Sequence, residues 1–115
     1  MAKITALSYV VPVRDLERAV RFYCDAFGLE EVFRTEQIVF VAIPGTESAV
    51  GLLRDPDAAG SGPQHVGFHL DHAIKLDDAI RDVKQAGASV VERGEHAPGV
   101  PFARIADPDG NLLEI

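Results

Sequence analysis

The amino-acid sequence predicts an α+β fold of two βαβββ modules, which together form a cupped, half-barrel mixed sheet around a central cavity. The first observation is that one order of strand and helix patterns occurs twice, with matched residues about 60 positions apart, and such self-similarity indicates a duplicated unit. The second is that each helical pattern carries a single apolar stripe, which has to be buried against the apolar face of a sheet.

The first module is expected to span about residues 3–54. It begins with an alternating, β-branched pattern that is typical of a strand, from Thr5 to Val13. Asp15 is suited to cap the helix that follows, and Gly28 is suited to end it in a left-handed conformation. Three more strand patterns complete the module, at residues 29–34, 37–43 and 49–53.

The second module is expected to span about residues 64–115, after a mobile linker at 55–63 that is rich in glycine, proline and aspartate. It repeats the order of the first module. Its strand and helix patterns lie at 64–71, 76–86, 88–93, 101–106 and 112–115. We therefore expect one domain over residues 1–115. Lys75 stands at the position that matches Asp15, so the second helix lacks that cap.

The last turn determines which way the final strand faces. The run from Asp107 to Asn111, with the sequence DPDGN, consists of residues typical of turns, so the strands on either side are expected to form a hairpin. Because side chains alternate along a strand, Leu113 and Ile115 share one face. Glu114 then points to the opposite face, into the concavity.

Alternation also assigns the two faces of each module's first strand. The more apolar set is expected to face a helix, and the other set faces the concave side of the sheet. The side chains expected on the concave side are Ser8, Val10, Pro12, His65, Gly67 and His69.

The composition excludes several classes of function. With 18 acidic and 11 basic side chains the net charge is −7, and no basic stripe could neutralise the phosphates of a nucleic acid. No apolar run is long enough to span a membrane, and the N-terminus lacks the pattern of a signal peptide. The single cysteine, Cys24, rules out an intrachain disulfide and fits a reducing cytoplasm, where we expect the protein to act.

His65 and Glu114 are the residues most suited to chemistry. They lie on the first and last strands of the second module and are both expected on the concave face. A histidine nitrogen and a carboxylate oxygen are suitable ligands for Zn²⁺, Mn²⁺, Fe²⁺, Ni²⁺ or Co²⁺. A buried histidine that is hydrogen-bonded to a carboxylate would give the same pattern, so the residues alone leave both interpretations open.

Other polar residues could line the same cavity. His69 shares the face of His65, but it is roughly 13 Å further along the strand and too far to share one ion easily. Arg104 could meet an anionic ligand in the pocket or lie on the surface. His72 is expected to be exposed, and His96 is expected in an exposed loop at 94–99 near the pocket mouth.

Four segments together resemble the vicinal oxygen chelate superfamily, which includes glyoxalase I, bleomycin-resistance proteins and extradiol dioxygenases. They are residues 11–23 (VPVRDLERAVRFY), 27–30 (FGLE), 65–68 (HVGF) and 107–114 (DPDGNLLE). The resemblance covers essentially the whole chain. It implies a glyoxalase- and bleomycin-resistance-like fold, a homodimer and a small-molecule ligand or substrate.

The resemblance also implies where a metal would bind. Metal enzymes of this kind take ligands from positions that correspond here to Ser8, Gly51, His65 and Glu114. The second module matches with His65 and Glu114, which become the expected catalytic and metal-binding residues for one divalent ion. The first module does not match, because a serine hydroxyl is a poor ligand at neutral pH and glycine has no side chain. Ser8, His69 and Arg104 are then expected to contact the ligand.

Three functions remain open at this level. One is metal-assisted lyase or dioxygenase chemistry on a small oxygenated molecule, with an incomplete ligand set. Another is a metal-free protein that binds or sequesters a drug or metabolite, although 7% aromatic residues and no tryptophan leave few surfaces for stacking a large flat drug. The third is an enzyme that uses His65 or His69 in acid–base work without a metal. The sequence does not decide whether the protein is an enzyme.

Overall fold

The computed structural model describes all 115 residues as an eight-stranded mixed sheet with two helices on one face. The first module contains β1 (Ile4–Val13), α1 (Leu16–Phe27), β2 (Glu30–Arg34), β3 (Ile38–Ala42) and β4 (Ala49–Arg54). The second contains β5 (His65–Leu70), α2 (Leu76–Gln85), β6 (Ser89–Ala97), β7 (Val100–Ala106) and β8 (Leu112–Glu114). The predicted order βαβββ is thus confirmed in both halves.

The two modules join edge to edge into one sheet. The strand order is β2-β3-β4-β1-β5-β8-β7-β6, so the antiparallel pair β1–β5 lies at the centre. Within each module the first strand pairs in parallel with the last, β1 with β4 and β5 with β8. The modules therefore meet within a single chain, and only β2 and β6 remain as sheet edges.

The central register relates the two modules by a pseudo-twofold axis. Across β1–β5, Ser8 is opposite Gly67 and Val10 is opposite His65. A twofold rotation that exchanges the modules maps the Ser8–Gly67 pair onto the His65–Val10 pair. Ser8 therefore corresponds to His65. Those are the two positions at which the resemblance placed ligands in the first strands.

The same operation relates the last strands. Gly51 on β4 pairs with Val10, and Glu114 on β8 pairs with Gly67. Because Val10 and Gly67 correspond to each other across the axis, Gly51 corresponds to Glu114. The first module thus presents a serine and a glycine where the second presents a histidine and a glutamate.

The helices begin as their sequences predict. The Asp15 side chain accepts a hydrogen bond from the backbone N–H of Arg18 at 3.0 Å, and Gly28 ends α1 with a φ of 68°. Lys75 precedes α2 and makes no side-chain capping hydrogen bond. Neither helix is long and apolar enough to cross a membrane.

Each helix covers its own half of the sheet. Leu16 of α1 packs with Val39, Val41 and Leu52, and Ile80 of α2 packs with two residues of β7. Leu113 and Ile115 contact this second cluster, as alternation predicts.

One strand is longer than expected. β6 continues through Ala97 and pairs with β7 as far as Val100, so most of the predicted loop at 94–99 is strand. Gly94, which suggested a break, instead makes room for an aromatic ring. A Cβ at this position would lie 3.0 Å from Cε1 of Phe102.

Candidate functional site

Glu114 is held by its strand on the concave face of the sheet. It pairs with Arg104 on β7 and with Gly67 on β5, and its side chain is only 13% exposed. The hairpin turn that sets this register is closed by Asp107, whose carboxylate accepts hydrogen bonds from the backbone N–H groups of Asp109 and Asn111. The predicted hairpin and the predicted direction of Glu114 are both confirmed.

Three side chains surround the Glu114 carboxylate. His96 Nε2 is 3.1 Å from Oε2, within hydrogen-bond distance. The other oxygen, Oε1, lies 3.5 Å from Arg104 Nε and 3.8 Å from Nε2 of the buried His65. One carboxylate oxygen is therefore paired within the protein, whereas the other has polar neighbours but no hydrogen bond.

Four buried polar atoms of this cluster have no hydrogen-bond partner. They are Nδ1 and Nε2 of His65, Nε of Arg104 and Oε1 of Glu114. Buried polar groups in folded proteins are nearly always paired, and exceptions call for an explanation. Nitrogen atoms of His65 and Arg104 lie around the acceptor oxygen Oε1 of Glu114. The cluster can therefore still form hydrogen bonds to a ligand or a water molecule.

The Glu114 carboxyl group is ionised at neutral pH. Burial is the largest single influence and favours the neutral acid, but the hydrogen bond from His96 and the electrostatic influence of His96, His65 and Arg104 together outweigh it. The pKa of Glu114 is therefore lowered from its ordinary value.

The buried His65 ring is neutral at the same pH. Burial lowers the pKa of His65, and the positive charges of Arg104 and His96 lower it further, while the Glu114 carboxylate only partly compensates. A neutral imidazole carries one N–H donor and one acceptor nitrogen, and either can meet a ligand.

Phe102 positions two members of the cluster. The His96 ring stacks on the Phe102 ring with centroids 4.3 Å apart, and the Arg104 guanidinium lies 5.6 Å from the same centroid. Arg104 is also tied to Glu92 on β6 by a 3.2 Å hydrogen bond. These contacts hold His96 and Arg104 beside Glu114 before any ligand binds.

Two cavities meet at this cluster. The main chamber, of about 600 Å³, is lined mostly by apolar residues and includes Ser8 and His69. The side compartment, of about 270 Å³, is more polar and includes His65 and Arg104. The residues that line both are Phe40, His96 and Glu114. A larger depression of about 690 Å³ at the start of α1 contains none of these residues and is lined mainly by charged side chains.

The expected site residues are therefore distributed between two cavities. His65 and Arg104 lie on the side-compartment wall next to Glu114, whereas Ser8 and His69 lie along the main chamber. His72 is exposed as expected, and it forms a 2.8 Å contact with Glu47 at the chamber rim.

The sequence interpretation of His96 was wrong. His96 was expected in an exposed loop, but it lies in β6, is 22% exposed and contacts Glu114. The polar run around Gly94 was the misleading signal, because pairing with β7 overrides the weak strand propensity of those residues.

Phe40 and Phe102 were also missed. The sequence signal for these two rings was a glycine within a strand pattern, at Gly51 and at Gly94. Such a glycine often marks a place where another group packs closely against the backbone.

The donor set does not fit the four-ligand metal site that the resemblance implies. No group of three or more His, Cys, Asp or Glu side chains is arranged to hold a metal ion. Gly51 contributes no donor, and the Phe40 ring occupies the space where its side chain would begin. In addition, the Arg104 guanidinium lies 3.5 Å from Glu114 Oε1 and places a fixed positive charge where a cation would have to bind.

The sequence can be compared with known families at this point. The sequence model of the Glyoxalase/Bleomycin resistance protein/Dioxygenase superfamily matches residues 5–115. The chain belongs to this superfamily. That membership confirms the fold expected from the duplicated modules.

Individual relatives of this superfamily member are distant. Virulence protein STM3117 of Salmonella typhimurium strain LT2 is 27% identical over 113 residues, covering 92% of this chain and 78% of that protein. A probable lactoylglutathione lyase of Synechocystis is 27% identical over 123 residues, covering 95% and 92%. Among solved structures, methylmalonyl-CoA epimerase from Mycobacterium tuberculosis superposes with a TM-score of 0.68 at 19% identity, covering 96% of this chain and 84% of that one. The structural likeness shows the fold alone.

Proposed function

We propose that this superfamily member acts on a small oxygenated molecule bound in the main chamber, and that Glu114 exchanges a proton with it without a resident metal. The observation that carries this proposal is the group of unpartnered buried atoms on His65, Arg104 and Glu114. His65 and Arg104 line the side compartment, and the ionised Glu114 lines both this compartment and the mostly apolar main chamber. Such a combination of a cavity and convergent polar groups is typical of small-molecule sites.

The geometry supports proton transfer at a carbon next to a carbonyl group. Glu114 supplies the base, because its carboxylate is ionised over the neutral range and lines the chamber. Arg104 Nε–H, together with the N–H of His65, could donate hydrogen bonds to the substrate oxygen, which gains negative charge as the proton leaves. Arg104 Nε lies 3.5 Å, and His65 Nε2 3.8 Å, from Glu114 Oε1, so base and donors face one spot.

The remaining residues have supporting roles in this proposal. His96 contacts Oε2 of Glu114 and leaves Oε1 without a hydrogen bond. Ser8 and His69 contact the body of the ligand in the main chamber. A relative named as a probable lyase and a neighbour named as an epimerase support testing lyase and isomerase reactions first.

Hydrogen exchange tests the proposal without knowledge of the substrate. The protein would be incubated in D₂O with a panel of small hydroxy-ketones, aldehydes and 2-oxo acids, and NMR would follow loss of the C–H signal next to the carbonyl. We expect catalysed exchange for at least one compound and a loss of roughly 10²- to 10⁴-fold in Glu114→Gln.

A matched control makes the same change away from the ligand. Glu30→Gln alters an exposed glutamate of β2 that lines neither the main chamber nor the side compartment, and it should keep wild-type exchange. Circular dichroism would establish that both variants fold. Exchange that survives in folded Glu114→Gln would show that Glu114 is not the base.

A second candidate is a binding protein that performs no reaction. The main chamber favours it, because 12 of its 21 lining residues are hydrophobic and could hold an apolar ligand by burial alone. In that case, members of the panel would shift the NMR signals of chamber residues while their C–H signals persist in D₂O. Binding would then survive in Glu114→Gln.

Metal-assisted chemistry, with His65 and Glu114 as ligands, differs from our proposal in one measurable respect. If a bound ion stabilised the developing charge, a strong chelator would abolish exchange and added Zn²⁺, Ni²⁺, Mn²⁺, Fe²⁺ or Co²⁺ would restore it. We expect exchange to be insensitive to chelator, because Arg104 and His65 supply the donors.

A further inference from the structure

We infer that Phe40 and Gly51 form a plug that closes the first-module half of the pseudo-symmetric site and sets the wall of the ligand cavity. This inference goes beyond the proposed function, because it concerns which ligands the cavity admits and why a second pair of donors is missing. It does not depend on proton transfer by Glu114.

The plug stands at the position that corresponds to the Glu114 carboxylate. Gly51 is the counterpart of Glu114, and Ser8 is the counterpart of His65, according to the strand register. Where the second module has Glu114 and His65, the first module has a glycine without a side chain and a serine with a short hydroxyl. The ring of Phe40, which pairs directly with Gly51 across β3–β4, fills the vacated space.

The contact between Phe40 and Gly51 is close. A Cβ at residue 51 would lie 2.9 Å from both Cε1 and Cζ of Phe40 and 3.0 Å from Cγ2 of Val10. Any side chain at this position would have to displace the ring, so glycine is what allows Phe40 to occupy the groove. Phe33 supports the ring from the side, with centroids 6.1 Å apart.

The plug also divides the groove. Phe40 lines both the main chamber and the side compartment, so its ring is part of the partition between them. The other shared residues, His96 and Glu114, are tied to each other by the 3.1 Å contact. A ligand in the main chamber can therefore reach the polar side compartment only beside Glu114. The Phe40 ring limits how far such a ligand extends into that compartment.

Two engineered variants test whether Phe40 is what closes the first half-site. Ser8→His/Gly51→Glu places a histidine and a glutamate at the positions related to His65 and Glu114 but keeps the plug. Ser8→His/Phe40→Ala/Gly51→Glu adds the same ligands and removes the plug. Both variants are made in an Arg104→Ala background, so that no guanidinium lies beside Glu114. Co²⁺ alone is the probe, followed by isothermal titration and by its visible absorption bands, which report ligand geometry.

We expect about one Co²⁺ per chain in the triple variant, and much weaker binding in the double variant and in the wild type. Equal affinity in the double and triple variants would show that Phe40 does not block the half-site. Tight stoichiometric binding by the wild type would show that the half-site is not needed. A folded triple variant that binds no Co²⁺ would show that the modules' positions are not equivalent.

A smaller pair of variants tests the contact itself in case the triple variant does not fold. Gly51→Ala should lower the thermal midpoint by several degrees in the wild type, because its Cβ meets the Phe40 ring. The same substitution should cost clearly less in a Phe40→Ala background. Equal losses in both backgrounds would overturn the plug. Neither readout depends on proton transfer, so failure here is distinct from failure of the proposed function.

Discussion

The Glu114 carboxylate lies on the concave face of the sheet, beside His96 and Arg104. Alternation along β8 and the turn at 107–111 were enough to place its carboxylate in the concavity. The sequence did not show that His96 contacts it, because that contact depends on the pairing of β6 with β7. Local patterns determine which face a side chain takes, whereas its partners come from strands that are distant in sequence.

The buried His65 makes stability depend on pH. Its pKa is lowered in the folded chain, whereas in the unfolded chain it takes up a proton below a pH of about 6.5. The unfolded state therefore binds more protons in this range, and the free energy of unfolding should fall as the pH drops below about 6.5. Urea unfolding at several pH values would measure this slope.

His65→Gln should make that slope shallower, because it removes the group that must stay neutral on folding. His72→Gln removes an exposed histidine and should leave the wild-type slope largely intact. An unchanged slope in His65→Gln would mean that His65 is not the source of the pH dependence.

His96 should tune the basicity of Glu114. His96→Phe keeps an aromatic ring on Phe102 but removes the hydrogen bond and the charge that lower the pKa of Glu114, while burial continues to raise it. We expect the acid limb of the exchange rate to move to higher pH in this variant. A pH–rate profile identical to that of the wild type would contradict the assigned role of His96.

The two helices differ in their N-terminal caps, as the sequence predicted. Asp15 caps α1, and Lys75 leaves α2 without a side-chain cap. Both helices still form, because each buries an apolar stripe on the sheet. The element most in error was β6, whose charged and glycine-containing half lacks strand propensity and is held by its pairing with β7.

The difference in capping gives a paired prediction. Asp15→Ala should lower the free energy of unfolding by about 1 kcal/mol, since it leaves the Arg18 N–H without its acceptor. Lys75→Ser should raise it by several tenths of a kcal/mol, because it supplies the acceptor that α2 lacks. Urea unfolding of both variants measures these changes. A loss in Lys75→Ser would mean that the lysine stabilises the helix in another way.

The duplication predicted the architecture but not that the two modules would contribute different side chains to the site. The order βαβββ and the mixed sheet followed from repeated patterns. That Phe40 fills the place of a polar pair could not be predicted, since it requires the register between β3 and β4. The result is a site whose polar groups come almost entirely from the second module.

The homodimer implied by the family resemblance remains a prediction. Leu7 and Tyr9 lie on the helix-side face of β1 but are 43% and 47% exposed, so they offer apolar surface for a second copy of the chain. Light scattering on a sizing column should give twice the mass of the chain, and Leu7→Glu/Tyr9→Glu should reduce it to one chain. Phe27→Glu, at the exposed end of α1, is the control. A wild-type monomer would contradict this expectation.

We propose that the cluster around Glu114 works without a resident metal. Elemental analysis of protein purified without chelator, and again after dialysis against Zn²⁺, Ni²⁺ or Co²⁺, tests it most directly. We predict far less than one metal ion per chain in both samples, because Ser8, Gly51 and Arg104 oppose a complete ligand set. Close to one ion per chain, lost in His65→Ala, would contradict the claim and make His65 and Glu114 metal ligands.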